Sequence, residues 1–216
     1  AGEIMKDRVE PLALEMGSKL VMPCDVANEE DIKKVFEEFK KVYGELHFVV
    51  HAVAYAKKEE LAGKFTQTSK DGFMLAMDIS AYSLIPVTKY ALPLMTGDLR
   101  SIITLTYIGG ERTIPNYNVM GVAKAALECT VRYLAAELGP QGIRVNALSA
   151  GPVKTLALKG IANSDLLLKL NKLRSPMLKN VSLEEVGDAG LYLLSSLSNG
   201  VTGETHHVDG GFHSIA

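Results

Sequence analysis

Cysteine is scarce in this sequence, and the two that occur, Cys24 and Cys129, lie far apart. Their spacing matches no metal-ligand motif. We therefore expect two buried thiols in a reducing compartment, with a disulfide as the alternative. The five histidines also form no spaced metal motif, so we expect no bound metal.

Long apolar runs and an excess of either charge are missing too. No run reaches the length of a membrane span, and the first residues show no signal-peptide pattern. The net charge of −2, with no basic stripe, argues against a nucleic-acid partner. The 216 residues are 47% hydrophobic and 22% charged, which is typical of a soluble globular protein. We expect a single domain over residues 1–216, located in the cytoplasm.

Strand and helix patterns alternate along the chain. The predicted strands are Lys19–Val26, Leu46–Tyr55, Ser101–Thr106, Ile143–Leu148 and Glu204–Asp209. The predicted helices are Lys6–Met16, Ile32–Tyr43, about Asp71–Leu94, Tyr117–Leu138 and, after a capping box at Ser182 and Glu185, a helix to about Ser196. Several strands are apolar enough to be buried on both faces. This order predicts an α/β fold of the doubly wound, Rossmann-like type, with a parallel sheet covered by helices on both faces.

Two segments depart from the simple pattern. A dinucleotide-binding fold begins with a strand, a Gly-rich turn and a helix, and no such unit precedes Lys19. We therefore expect that first unit to be missing from this sequence, the alternative being a fold that never had it. The segment 152–176 has weak periodicity and is longer than a typical connection, so it is a candidate substrate-binding lid.

Lys124 follows Tyr117 by seven positions, at the start of a predicted helix. Seven residues are about two helical turns, which places both side chains on one face. The ammonium of Lys124 can bind ribose hydroxyls and lower the pKa of the phenol. Tyr117 can then donate to an oxygen that becomes anionic as a hydride arrives. The spacing alone is common by chance, and its weight comes from the element order around it.

Several motifs together resemble the short-chain dehydrogenases: Y-x6-K at Tyr117, I-R-V-N-A-L-S-A-G-P after Gly142, and H-V-D-G-G near the end. The stretches 78–83, 104–107, 115–121 and 151–157 resemble one branch of them, the bacterial enoyl-acyl-carrier-protein reductases. The resemblance covers essentially the whole chain. It implies hydride transfer from NADH to the β-carbon of a trans-2-enoyl thioester carried by acyl-carrier protein, in fatty-acid elongation, by a homotetramer.

The resemblance also implies roles for individual residues. Tyr117 would hydrogen-bond the thioester oxygen, Lys124 would hold the nicotinamide ribose, and Tyr107 would be the second active-site tyrosine. For Tyr107 the alternative is a buried phenol at a strand end. Most short-chain dehydrogenases place a catalytic Ser thirteen residues before the tyrosine, where this chain has Thr104. Together with Tyr107, this substitution favours enoyl reduction over ketone reduction.

Further residues are assigned by the resemblance to the cofactor and the substrate. The cofactor-binding set is Asp25, Val26, Val53, Lys124, Val153, Lys154, Thr155, Leu156 and Ala157. Within it, Asp25 would accept from the adenine amino group, backbone groups of Val153 would reach the carboxamide, and Thr155 would reach a phosphate. Ala56 and Met120 would contact the substrate. An Asp that only forms a turn or cap is the alternative for Asp25, and a core helix residue is the alternative for Met120.

Two other functions stay open at this point. One is a ketone or alcohol dehydrogenase of the same superfamily, such as a β-ketoacyl reductase. The other is a nucleotide-binding regulator that kept the fold and lost turnover, although an intact Tyr117 and Lys124 speak against it. NADH rather than NADPH is expected from the resemblance alone.

Overall fold

The computed structural model describes residues 6–155, 158 and 164–215. In this part of the chain four strands form one sheet: β1 (Phe48–His51), β2 (Arg100–Thr106), β3 (Ile143–Ala150) and β4 (Thr205–Val208). Their order is β1-β2-β3-β4, and every neighbouring pair is parallel. Parallel neighbours require crossover connections, and helices supply them here. The predicted α/β fold with a parallel sheet is confirmed.

Helices precede and connect these strands. They are α1 (Lys6–Glu15), α2 (Glu29–Tyr43), α3 (Lys58–Leu61), α4 (Lys70–Met77), α5 (Leu84–Ala91), α6 (Asn118–Leu138), α7 (Ser164–Arg174) and α8 (Leu183–Leu194). A π-helical turn at Asp78–Tyr82 divides α4 from α5, so the predicted helix over 71–94 is interrupted. The capping box predicted at Ser182 and Glu185 is present and begins α8. Within the described ranges no helix has both the length and the apolar character that a membrane crossing requires.

Helices cover both faces of the sheet. On one face, Leu127 and Val131 of α6 pack with Ile102 of β2 and Val145 of β3. On the other face, Leu193 of α8 packs with Ile103 and Leu148. Successive strand residues point to opposite faces, so the neighbours Ile102 and Ile103 serve different layers. This arrangement fixes α6 directly behind β2 and β3.

The predicted strand Lys19–Val26 is wrong. This segment runs between α1 and α2 without pairing to any strand of the described sheet. Its end forms a turn instead, in which the Asp25 carboxylate accepts a hydrogen bond from the Ala27 N–H at 3.0 Å. An apolar pattern produces a strand only where a neighbouring strand accepts its backbone hydrogen bonds.

The strand predicted over 46–55 is shorter than expected and is not buried on both faces. Only Phe48–His51 is strand, and the side chains of Phe48 and Val50 are 51% and 47% exposed. In the described residues, β1 is an edge strand with one face uncovered. The run of apolar residues therefore predicted a strand correctly, but it predicted burial of both faces where one face is exposed.

His51 connects β1 to the rest of the core. Its Nδ1 hydrogen-bonds Thr104 Oγ1 of β2 at 2.9 Å, and its Nε2 hydrogen-bonds Ser83 Oγ, just before α5, at 2.8 Å. Burial lowers the pKa of His51 to about 4, and the charge of Lys124 acts in the same direction. The imidazole is therefore neutral at physiological pH and serves as a structural link.

We predict that His51 makes the protein less stable in mild acid. An unfolded histidine titrates near pH 6.5, so between that pH and about pH 4 the unfolded chain binds more protons than the folded one. The free energy of unfolding should fall as the pH drops through this window, by about 3 kcal/mol in total. Urea unfolding at several pH values measures this slope. His51→Gln should flatten it, and His47→Gln, at an exposed site, should leave it unchanged. An unchanged slope in His51→Gln would contradict the prediction.

Candidate active site

A cavity of about 920 Å³ opens at the carboxyl end of the sheet. Its walls come from the residues that directly follow β1, β2 and β3, together with side chains of α6, α7 and α8. In parallel α/β sheets this edge is where ligands bind, because the strands end there and the loops diverge. The cavity is lined mainly by apolar side chains, with three tyrosines among them.

Two of these tyrosines, Tyr107 and Tyr117, pack against each other. Their ring centroids are 5.1 Å apart and the ring planes meet at 72°, an edge-to-face contact. Tyr107 directly follows β2, and Tyr117 directly precedes α6. Gly109 makes this contact possible, because a Cβ at that position would lie 2.5 Å from the ring of Tyr117. The structure therefore brings together the two tyrosines that the sequence predicted for the site.

Lys124 lies behind the cavity wall, two turns into α6, and is buried. Its Nζ donates a hydrogen bond to the carbonyl oxygen of Leu105 at 2.6 Å. Burial lowers the pKa of Lys124 to about 8, and the charge of Glu128 opposes this shift. An ammonium has three N–H donors, and this is the one hydrogen bond that it makes within the described residues. The remaining donors fit the ribose hydroxyls that the sequence assigned to Lys124.

The pKa of Tyr117 is raised rather than lowered, which corrects our expectation. Burial is the largest cause, and the neighbouring Tyr107 and Glu128 add to it. Burial also raises the pKa of Tyr107 to about 12, with a further contribution from Asp209. Desolvation disfavours a phenolate more than the Lys124 ammonium favours it at this site. Both phenols are therefore protonated at neutral pH and are hydrogen-bond donors.

Four further predicted residues line the same cavity. Ala56 follows β1, Met120 is in the first turn of α6, and Val153 and Thr155 follow β3. The Thr155 hydroxyl oxygen accepts a hydrogen bond from the N–H of Leu158 at 3.2 Å, so its proton is available for donation. Met120 also packs with the two tyrosines, which is the core position that we considered as its alternative, and its contact with substrate stays a prediction.

Four other described residues assigned to the cofactor do not line the cavity. Val53 is partly buried just after β1, and Lys154 is exposed beside Thr155. Asp25 and Val26 lie in the turn before α2, where the Asp25 carboxylate forms the turn that we considered as its alternative. Leu156 and Ala157 lie outside the described residues.

Thr104 does not reach the cavity. It is fully buried in β2, its hydroxyl donates to the carbonyl oxygen of His51 at 3.2 Å, and it also hydrogen-bonds the His51 imidazole. The position that carries a catalytic serine in most short-chain dehydrogenases is therefore part of the core here.

Sequence reasoning missed several residues of this region. Leu183 and Val186 of α8 line the cavity together with Lys57 and Lys58. The capping box at Ser182 could have signalled the first two, because they are the first apolar positions on the helix that it begins. Glu128 was missed as well, although an acid four residues after Lys124 on an otherwise apolar helix face is an unusual residue.

The arrangement suits stabilisation of an oxygen that gains negative charge. Two protonated phenols converge on an apolar cavity, and a buried ammonium stands behind one of them. Donors fixed in a site of low polarity stabilise such an oxygen more strongly than water does. Among the described residues, no group of three or more His, Cys, Asp or Glu could hold a metal ion.

Comparisons with known proteins agree with this geometry. The family model described as "Enoyl-(Acyl carrier protein) reductase" matches residues 1–213. Enoyl-[acyl-carrier-protein] reductase [NADH] 1 of Rhizobium meliloti (strain 1021) is 53% identical over 214 residues, which are 99% of this chain and 78% of the relative. The corresponding NADH enzyme of Bacillus subtilis (strain 168) is 49% identical over 218 residues, covering 100% of this chain and 84% of the relative.

A solved structure shows the same fold. The crystal structure of the enoyl-(acyl-carrier-protein) reductase of Anaplasma phagocytophilum in complex with NAD superposes with a TM-score of 0.92 at 48% identity. The match covers 100% of this chain and 80% of that one. Sequence and structure thus agree over the whole length of this chain, and the chain belongs to the enoyl-(acyl carrier protein) reductase family.

Proposed function

We propose that this protein reduces trans-2-enoyl-acyl-carrier-protein to acyl-carrier-protein with NADH, a step of fatty-acid elongation. The observation that carries the proposal is the edge-to-face pair of Tyr107 and Tyr117 on an apolar cavity, with the buried Lys124 behind it. The printed names of the relatives, which are NADH-dependent enoyl-acyl-carrier-protein reductases, support it.

Tyr117 is the hydrogen-bond donor to the thioester carbonyl oxygen in this proposal. When bound, NADH supplies a hydride to the β-carbon of the enoyl group. The electron pair of the carbon–carbon double bond then moves toward the carbonyl, and an enolate forms whose oxygen Tyr117 stabilises. Because burial keeps the phenol protonated, Tyr117 can hydrogen-bond this oxygen throughout the step. The α-carbon of the enolate then takes a proton from water, which gives the saturated thioester and leaves hydroxide.

The cofactor is held by residues on either side of the tyrosines. Lys124 donates to the nicotinamide ribose, the Val153 backbone meets the carboxamide, and the Thr155 hydroxyl donates to a phosphate. We assign Val53, Lys154, Leu156 and Ala157 to the cofactor as well. Asp25 and Val26 contact the adenine, which requires the exposed turn before α2 to face the adenine end of the cofactor.

The acyl chain lies against Ala56 and Met120 in the apolar part of the cavity. We assign the segment 152–176 as the lid over this chain. Leu158 and Leu167 of that segment line the cavity and support the assignment. The packing of α6 and α8 on opposite faces of one sheet supports a single domain.

We predict that Tyr117→Phe nearly abolishes turnover. Removing the donor to the developing oxyanion should lower kcat by about 10²–10³-fold while NADH binding is unchanged. The assay uses the full-length protein with a crotonyl thioester and follows NADH absorbance. Tyr133→Phe, which makes the same change at an exposed position of α6, should retain wild-type kcat. No substrate-dependent NADH oxidation by the wild-type protein would refute the proposed function.

The same assay decides between the other two functions. Faster turnover of a β-ketoacyl thioester than of an enoyl thioester would indicate a ketone reductase. The burial of Thr104 away from the cavity disfavours that outcome. Binding of NADH without turnover of any acyl thioester would indicate a regulator.

Tyr107→Phe should have a smaller effect than Tyr117→Phe. The ring contact with Tyr117 survives this substitution, so the loss reflects one hydroxyl group in the cavity. We expect kcat to fall about tenfold, which corresponds to about one hydrogen bond. Tyr55→Phe removes a hydroxyl from another cavity-lining tyrosine and should have little effect. If kcat is unchanged in Tyr107→Phe, the residue has only the packing role that we considered as its alternative.

Exposed apolar side chains on one side of the molecule support a homotetramer. Met74, Tyr82 and Ile85 border a groove whose other wall is α6, and Val122 and Tyr133 are exposed on α6 itself. Large apolar patches of this kind are typical of subunit interfaces. We also place the enzyme in the cytoplasm, the reducing compartment expected for a chain with only two cysteines far apart in sequence.

Light scattering of the full-length protein should give the mass of a tetramer. Ile85→Asp should lower that mass, because it puts a charge into the proposed interface. Leu197→Asp changes a more exposed leucine outside this patch and should leave the mass unchanged. A monomeric wild-type protein would contradict the proposal.

A further inference from the structure

Glu128 is a buried acid on the face of α6 that carries Lys124. It lies four residues after Lys124, one helical turn further on, and its side chain is 6% exposed. One of its carboxylate oxygens, Oε1, accepts a hydrogen bond from the Thr106 hydroxyl at 2.6 Å. Gly110 leaves space for the carboxylate, because a Cβ there would lie 2.7 Å from the same oxygen.

This hydrogen bond is one of two that join α6 to the end of β2. Lys124 Nζ donates to the carbonyl oxygen of Leu105, and the Thr106 hydroxyl donates to Glu128. Leu105 and Thr106 are the two residues that immediately precede Tyr107. Consecutive turns of the helix therefore hold consecutive residues of the strand. These two hydrogen bonds fix the main chain before Tyr107 relative to α6, the helix that directly follows Tyr117.

Glu128 is surrounded by other charges. The negative charge of Glu128 favours the charged form of Lys124 and the neutral form of Tyr117. Glu111, His207 and Arg132 also act on Glu128, and a hydrogen bond of 2.7 Å joins His207 Nε2 to Glu111 Oε1. Burial raises the pKa of Glu128, whereas the Thr106 hydrogen bond, His207 and Arg132 lower it.

We propose that Glu128 is a positioning residue of this site: its carboxylate fixes Thr106, and with it Tyr107, against α6, and it places a negative charge beside the Lys124 ammonium. The inference rests on the proposed function for its catalytic consequence. Its structural content, a fixed strand end and a charge beside Lys124, is independent of that function.

Thr106 provides the test of the positioning role. Thr106→Val has nearly the same shape but cannot donate to Glu128, so we expect kcat to fall about tenfold with little change in the KM for NADH. Thr106→Ser restores the hydroxyl and should recover most of the activity. If Thr106→Val lowers only the melting temperature and leaves the kcat of the folded enzyme unchanged, the positioning role is overturned.

Glu128→Gln tests the charge. The amide oxygen still accepts from Thr106, but the negative charge is lost, so the pKa of Lys124 should decrease. NMR titration of ¹³Cε-labelled lysine in the full-length protein measures this directly, with Lys124→Arg assigning the signal. The alkaline limb of the pH profile of kcat/KM should move to lower pH in parallel. Glu137→Gln makes the same change at an exposed position of α6 and should leave the Lys124 titration unchanged.

The two measurements separate this inference from the proposed function. The NMR titration requires no turnover, so a shifted Lys124 signal in a protein that does not reduce enoyl thioesters refutes the function and supports the charge. An active enzyme in which Glu128→Gln and Glu137→Gln titrate alike refutes the role of the charge.

Discussion

The close packing of the end of β2 against α6 is the constraint on which the site depends. Tyr107 follows the strand and Tyr117 precedes the helix, so their edge-to-face contact exists only while these two elements keep their distance. Gly109 permits the approach, and Lys124 and Glu128 maintain it through hydrogen bonds to Leu105 and Thr106. The sheet and the helix on it thus position both phenols without help from the loops around the cavity.

Burial decides the protonation of these groups. The phenols become weaker acids and Lys124 becomes a weaker base when water is removed, because each charged form loses its solvation. The expectation that Lys124 would activate Tyr117 by lowering its pKa considered the charge and ignored the desolvation. For a residue that donates a hydrogen bond to a developing oxyanion, a neutral phenol is the useful form. The buried carboxylate of Glu128 also favours the neutral phenol of Tyr117, whereas at Lys124 it opposes the effect of burial and favours the ammonium.

Sequence patterns predicted the positions of most helices and strands well, and the contacts around them less well. Two-sided burial of β2, the long helix after Tyr117 and the capping box at Ser182 are local signals, and each is confirmed. The segment 19–26 carried an equally good strand pattern and is not a strand, because strand formation depends on a neighbour that the pattern does not contain. The family resemblance assigned Tyr107 and Tyr117 to one site, whereas the part played by Glu128 depends on a contact between distant parts of the chain.

Clustering an ammonium, a carboxylate and two phenols in the interior has a cost in stability. Each charged group loses its hydration on burial, and this loss destabilises the folded state unless hydrogen bonds replace it. Hydrogen bonds to Leu105 and Thr106 offset part of it by pairing the charged atoms with the strand end. The same bonds fix the geometry that the phenols need. Stability and positioning are therefore coupled here, because the atoms that satisfy the buried charges are those of the residues that lead directly into Tyr107.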